Sequence, residues 1–197
     1  RSFKYYLAND ELKLFLTIIF VVVLVSALTL YVKEEFSIKD SIRYGFFQSI
    51  SIVTTTGYTL EPLSGLGGTI GFLIFILAFI GACSGSVGGG MKVWRVLLMI
   101  KVGFSNITKI IHPSAISSVK LNGEKVVSSQ IEAVFSFIAI YISFFLLFMF
   151  ILIFQNVDFY SAFSGTAAAI NNLGPGLGSF SENYSSLSDV GKLTLTI

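Results

Sequence analysis

Residues Leu12 to Val32 form an apolar run of 21 residues, interrupted, beyond Lys13 at its mouth, by Thr17, Ser26 and Thr29. At about 1.5 Å per helical residue the run matches a hydrocarbon core of about 30 Å. A second run, Ile131 to Phe154, has Glu132 as its sole charge. The whole chain is 54% apolar and 12% charged, against about 25% charged for a soluble domain. This composition excludes a disordered chain, a coiled coil and a nucleic-acid-binding domain. One cysteine, Cys83, and one histidine, His112, leave no intramolecular disulfide framework and no evident zinc site. An all-α integral membrane protein, multi-pass and in contact with lipid, is the expectation.

A third apolar stretch, Leu66 to Cys83, contains Gly67, Gly68, Gly71 and Gly81 and continues past a glycine cluster into Val93–Phe104. It is too long for one straight span and reads as a helix broken by glycine. Two further stretches, Ser41–Val53 and Phe159–Ile170, are too short to cross; 13 residues of helix reach about 20 Å. Each runs into polar, glycine-containing sequence: Thr54-Thr55-Thr56-Gly57-Tyr58 and Asn171-Asn172-Leu173-Gly174-Pro175-Gly176. Non-helical backbone at membrane depth is tolerated where protein or a water-filled cavity surrounds it. Both stretches are therefore expected to be re-entrant.

Charge agrees with this topology. With re-entrant loops, residues 1–13 and 92–125 share one side and carry nine of the 13 Lys and Arg residues. By the positive-inside rule that side, with the N-terminus, is cytoplasmic. A shift of 117 residues lays Phe46 on Phe163, Ser49 on Thr166, Val53 on Ile170 and Gly57 on Gly174. The chain thus divides into a span–short helix–loop–span unit with a linker over 1–125 and a second, incomplete unit over 126–197, its last helix starting near Asp189. The chain is expected to be a piece of a longer polypeptide.

The loops suit a desolvated monovalent cation, which needs a ring of oxygens in place of water. Threonine favours extended backbone and adds a hydroxyl, and glycine permits the positive φ that turns a carbonyl inward. The C-terminal end of each short helix adds partial negative charge. Asp40 or Ser41, and Asp158, stand where N-caps are expected. Gly81-Ala82-Cys83-Ser84-Gly85-Ser86-Val87-Gly88-Gly89-Gly90-Met91-Lys92 fits neither a phosphate-binding loop nor a nucleophile elbow. Gly81 and Gly85 have helix-packing spacing, but so many glycines cost too much helix stability to serve packing alone. A movable intramembrane segment is the preferred reading. His112 reads as a solvated loop residue, Cys83 as a small filler and Trp94 as an interfacial anchor. Glu61 is a candidate for attracting cations to the outer mouth, with a plain surface carboxylate as the alternative.

In combination these residues, with His112-Pro113 and Val119-Lys120-Leu121-Asn122-Gly123, resemble the Trk/Ktr/HKT superfamily of potassium transporters, closest to the bacterial TrkH type. The resemblance covers nearly the whole chain. It implies M1–P–M2 pore-loop repeats around a pseudo-fourfold pore, with this sequence similar to the third and fourth of four and the N-terminal half lying outside it. It further implies a selectivity filter for K⁺ that uses Thr55, Thr56, Gly57, Asn172, Leu173 and Gly174, flanked by Thr54, Tyr58 and Asn171. The gating loop would contain Gly81, Gly85, Ser86, Gly88, Gly89, Gly90 and Lys92. Also implied are a bacterial plasma (inner) membrane location, a homodimer and a cytosolic nucleotide-binding regulatory subunit of TrkA type, with no organic cofactor in this chain and no enzymatic activity. The alternatives are a two-pore-loop potassium channel subunit, an intramembrane serine protease and a membrane scaffold. The channel class usually has a second glycine where Thr59 stands. A protease needs a glycine-flanked serine and a histidine on a spanning helix. A scaffold leaves the two loops unexplained.

Overall fold

A computed structural model describes residues 8–33, 36–60, 68–113, 118–181 and 183–196. Helix α1 spans Asp10–Lys33. Asn9 caps it, its Oδ1 accepting from the backbone N–H groups of Glu11 at 2.8 Å and Leu12 at 3.2 Å. Helix α2 spans Ile38–Val53, three residues earlier than the sequence suggested. The reason is an N-cap at Ser37. The Ser37 hydroxyl accepts from Asp40 N–H at 3.2 Å and donates to the Asp40 carboxylate at 2.7 Å. The cap is therefore Ser37, and neither Asp40 nor Ser41 holds that position.

Helices α3, over Gly68–Ile80, and α4, over Val93–Ile111, flank a non-helical stretch from Gly81 to Lys92. A short hairpin follows, pairing β1 (Lys120–Leu121) with β2 (Glu124–Lys125). Its turn residues Asn122 and Gly123 have φ of 50° and 85°, as a tight hairpin of this hand requires. Helix α5 spans Ser128–Phe154, α6 spans Phe159–Ile170 and α7 spans Asp189–Thr196, with a 3₁₀ turn over Gly178–Phe180. Asp158 caps α6 as expected, accepting from Ser161 N–H at 2.9 Å. That bond holds its carboxyl below the usual range, so the cap stays ionised to lower pH than a free aspartate would.

Among the described residues, two helices, over Asp10–Val32 and Ser128–Phe154, are long and apolar enough to cross a membrane. Large apolar side chains on both, such as Phe20, Leu28 and Phe150, are exposed, an arrangement suited to lipid or further helices. Helices α1 and α2 pack closely because Gly45 faces α1. A Cβ there would stand 2.9 Å from Ser26 Oγ and 3.0 Å from the Ala27 nitrogen. The core between α3, α5 and α6 is aromatic. The Phe145 ring lies 5.4 Å from those of Phe79 and Phe163 in edge-on geometry, the favoured arrangement of aromatic quadrupoles. A second cluster joins α4, α5 and the hairpin through Leu98, Leu121, Val134 and Ile138.

Candidate functional site

The loops after α2 and α6 share one backbone design. Thr54 N–H donates to the Ile50 carbonyl at 2.9 Å, Thr55 to Ile52 at 3.0 Å and Thr56 to Ser51 at 2.8 Å. Asn171 donates to Ala167 at 3.2 Å, Asn172 to Ala169 at 3.1 Å and Leu173 to Ala168 at 2.8 Å. Both patterns are Schellman motifs, with a left-handed residue just past the helix end. Those residues are Thr55 (φ 53°) and Asn172 (φ 52°), followed by Gly57 (φ 78°) and Gly174 (φ 95°). Every one of these features obeys the same shift of 117 residues.

The motif has a consequence for the loop oxygens. The loop N–H groups turn back onto helix carbonyls and satisfy them. The carbonyls of Thr54, Thr55, Thr56 and Gly57, and of Asn171, Asn172 and Leu173, accept no hydrogen bond among the described residues. Neither helix has a basic residue in its last turn, so nothing there neutralises the partial negative charge at its C-terminus.

Asparagine tolerates the left-handed conformation, but a β-branched residue at positive φ is a true outlier. Thr55 is therefore strained, at roughly 1–2 kcal/mol, and its side chain makes a contact that glycine could not. Its Oγ1 accepts from Gly89 N–H at 2.9 Å. The glycine segment 81–92 thus lies directly against both loops. A Cβ on Gly88 would stand 2.9 Å from Thr55 Oγ1, and one on Gly89 would stand 1.9 Å from the Asn171 carbonyl oxygen. The loops also abut one another, since a Cβ on Gly57 would stand 2.0 Å from the Leu173 carbonyl oxygen.

The segment is a hydrogen-bonded loop pinched at its neck, where Gly81 and Gly90 meet at positive φ (70° and 78°). Met91 N–H donates to the Phe79 carbonyl at 2.9 Å and Val93 N–H to Ala82 at 3.2 Å. Lys92 folds over the segment, its ammonium donating to the carbonyls of Ser86, at 3.0 Å, and of Gly88. Gly81 and Gly85 lie outside any helix, so their spacing is not that of a helix-packing face. Gly85 has open space around it, and Ser86 is exposed.

Several supporting residues had no signal in the sequence. Tyr141 on α5 donates to Asn171 Oδ1 at 2.6 Å, while Asn171 Nδ2 donates to the Ala167 carbonyl at 2.7 Å. Asn171 is fully buried, so its side chain anchors the loop while its backbone faces Gly89. The Ser51 hydroxyl donates to the Tyr58 carbonyl at 2.6 Å. Ser164 Oγ accepts from Leu177 N–H at 2.9 Å. Tyr184 donates to the Gly174 carbonyl at 2.8 Å, and burial pushes its phenol up to about 12, so it remains a donor at neutral pH. Of the remaining candidates, Tyr58 is exposed and Cys83 is half-buried. His112 closes the end of α4 as an exposed residue. Glu61 lies outside the described residues.

Comparison with known proteins gives the frame for this geometry. A family model described as TrkH, cation transport protein, matches residues 5–197. The Trk system potassium uptake protein TrkH of Escherichia coli K12 is 36% identical over 196 residues, which is 99% of this chain and 41% of that protein. The TrkH protein of Halomonas elongata is 32% identical over 197 residues, covering 100% of this chain and 41% of that one. The crystal structure of the potassium transporter TrkH from Vibrio parahaemolyticus matches with a TM-score of 0.90 at 35% identity, over 98% of this chain and 41% of that chain. The chain thus spans about two fifths of the length of these relatives.

Proposed function

The chain belongs to the TrkH family of cation transport proteins, and on that premise we propose that it supplies part of the ion pathway of a potassium uptake protein. Residues 1–125 and 126–197 are two M1–P–M2 repeats, the second incomplete. Helices α2 and α6 are the re-entrant pore helices. The pathway lies in a bacterial plasma membrane, with residues 92–125 and the N-terminal end cytoplasmic. Two further repeats complete the pore, and the whole protein works as a homodimer with a cytosolic nucleotide-binding subunit.

The unpaired carbonyls of the two loops carry this reading. A run of backbone oxygens without donors is costly at membrane depth unless something else satisfies them. A K⁺ ion stripped of water satisfies them, and it regains in carbonyl contacts what it loses in hydration. Thr55, Thr56, Gly57, Asn172, Leu173 and Gly174 are the filter residues in this scheme. Thr54, Tyr58 and Asn171 support them, and the C-terminal ends of α2 and α6 add a field that attracts cations. Below the filter, the segment from Gly81 to Lys92 is the gate. Its contacts to Thr55 and Asn171 support a position across the path, and its glycines suit a segment that moves.

The test is uptake by the intact polypeptide in bacteria that lack other potassium uptake. Rubidium should accumulate, potassium should compete for entry, and sodium should compete less well. Correctly inserted protein that carries no alkali cation would refute the proposal.

A further inference from the structure

The gate reading leaves open what holds the glycine segment in place from the side facing away from the filter. Its middle is exposed, with Gly85 in open space and Val87 fully exposed. Besides the Lys92 ammonium on the Ser86 and Gly88 carbonyls, a contact from outside the segment comes from the first turn of α1. Ser84 N–H donates to Glu11 Oε1 at 2.6 Å, and Ser84 Oγ donates to Glu11 Oε2 at 3.0 Å. Both carboxylate oxygens are thus engaged by one residue of the segment, 73 positions away in sequence.

The preceding residue, Asp10, holds something else. Its Oδ2 accepts from the Lys101 ammonium of α4 at 2.6 Å and from Asn122 N–H in the hairpin turn at 3.2 Å. Asn122 Oδ1 in return accepts Asp10 N–H at 2.8 Å. Lys101 also donates to the Lys120 carbonyl of β1 at 2.9 Å. Two consecutive acidic residues therefore join the hairpin and α4 to the glycine segment. Asn9 fixes their backbone by capping that same turn. Adjacent residues in a capped helical turn cannot move independently.

We propose that Glu11 is a positioning residue that latches the glycine segment in its blocking position, and that Asp10 makes the latch responsive to the place of the hairpin β1–β2. Movement of the hairpin pulls the first turn of α1 through Asp10, and Glu11 then releases Ser84. The proposal rests on the gate reading above and adds the element that controls it.

Cys83, next to Ser84 and half-buried, reports the latch without reference to transport when each rate is taken from the full pH profile of modification, so that the loss of the Glu11 charge, which acts on the thiol's ionisation, is separated from a change in its exposure. The experiment uses the intact polypeptide in membranes, with any other cysteines replaced, and measures maleimide modification of Cys83 together with rubidium flux. Glu11→Ala should raise the modification rate and the flux by roughly three- to tenfold, the range expected for losing the net worth of one ordinary hydrogen bond at an exposed site. Ser84→Ala keeps the backbone bond and should do less. The double variant should match Glu11→Ala alone, because both changes break one interaction. Gly123→Ala, which strains the hairpin turn at φ 85°, should speed modification with Asp10 present and should do so less in the Asp10→Ala background. Unchanged Cys83 reactivity in Glu11→Ala, or additive effects of Glu11→Ala and Ser84→Ala, would overturn the latch. A hairpin effect of equal size in the Asp10→Ala background would overturn the link through Asp10. Faster modification without a change in flux would support the latch while removing the gate reading, so the two failures are told apart.

Discussion

Alanine in place of Gly57 is expected to abolish potassium uptake by the intact polypeptide while leaving it inserted in the membrane. Two costs combine at this position. Gly57 has φ 78°, where an L residue pays about 1–2 kcal/mol. Its Cβ would also stand 2.0 Å from the Leu173 carbonyl oxygen, far inside van der Waals contact. The neighbour is backbone and cannot rotate away, so the second loop must move, and Leu173 contributes one of the proposed ion ligands. A loss of at least about tenfold is expected, since each 1.4 kcal/mol of added barrier gives that factor. Gly174→Ala is the matched comparison. Its φ is 95°, but a Cβ there meets nothing within 4 Å. It carries the backbone cost alone and should retain more uptake. Gly57→Asp adds a carboxylate to the same overlap and should degrade discrimination against sodium as well. Rubidium uptake normalised to inserted protein measures all three, and wild-type rates in Gly57→Ala would contradict the assignment.

Shortening the glycine segment should act in the opposite direction. Removing Gly88 and Gly89 deletes the N–H bonded to Thr55 Oγ1 and the close approach to the Asn171 carbonyl. If the segment blocks the path, flux rises, by about tenfold for each 1.4 kcal/mol of barrier removed. Gly85→Ala is the comparison: open space surrounds Gly85, so a methyl group there removes no contact and alters only the segment's backbone freedom. Flux equal to or below that of the unaltered protein, in correctly inserted shortened protein, would show that the segment is no barrier.

What could be read from the sequence follows from the range of the interactions involved. The two long spans were legible because a bilayer imposes a length on an apolar run, and both runs lie within helices α1 and α5. The short helices were legible from being too short to cross. The break in the third stretch followed from its glycines, and the helix does end at Ile80. The sequence reading puts the cap of α2 at Asp40 or Ser41, whereas the hydroxyl that caps it belongs to Ser37 and bonds Asp40 N–H, because Ser and Asp are both good caps and residue type alone does not choose between them. The hairpin over Lys120–Lys125 was missed because strands of two residues show no alternation, although Asn122-Gly123 is a turn signal.

The loops divide differently. Their glycines were legible as positions that need positive φ. That Thr55 shares this conformation was not, since residue preference argues against it. Only its contact with Gly89, 34 residues away, explains it. Tyr141 on Asn171 and Glu11 on Ser84 are likewise side-chain contacts between distant segments. Periodicity and composition carry no information about such pairs.

The most direct measurement of the ion site is diffraction from crystals of the intact polypeptide containing thallium, whose anomalous scattering marks potassium positions. A peak bounded by the carbonyl oxygens of Thr55 to Gly57 and of Asn172 to Leu173 is the expected result. Thallium bound elsewhere, with these oxygens facing lipid or the cytosol, would contradict it.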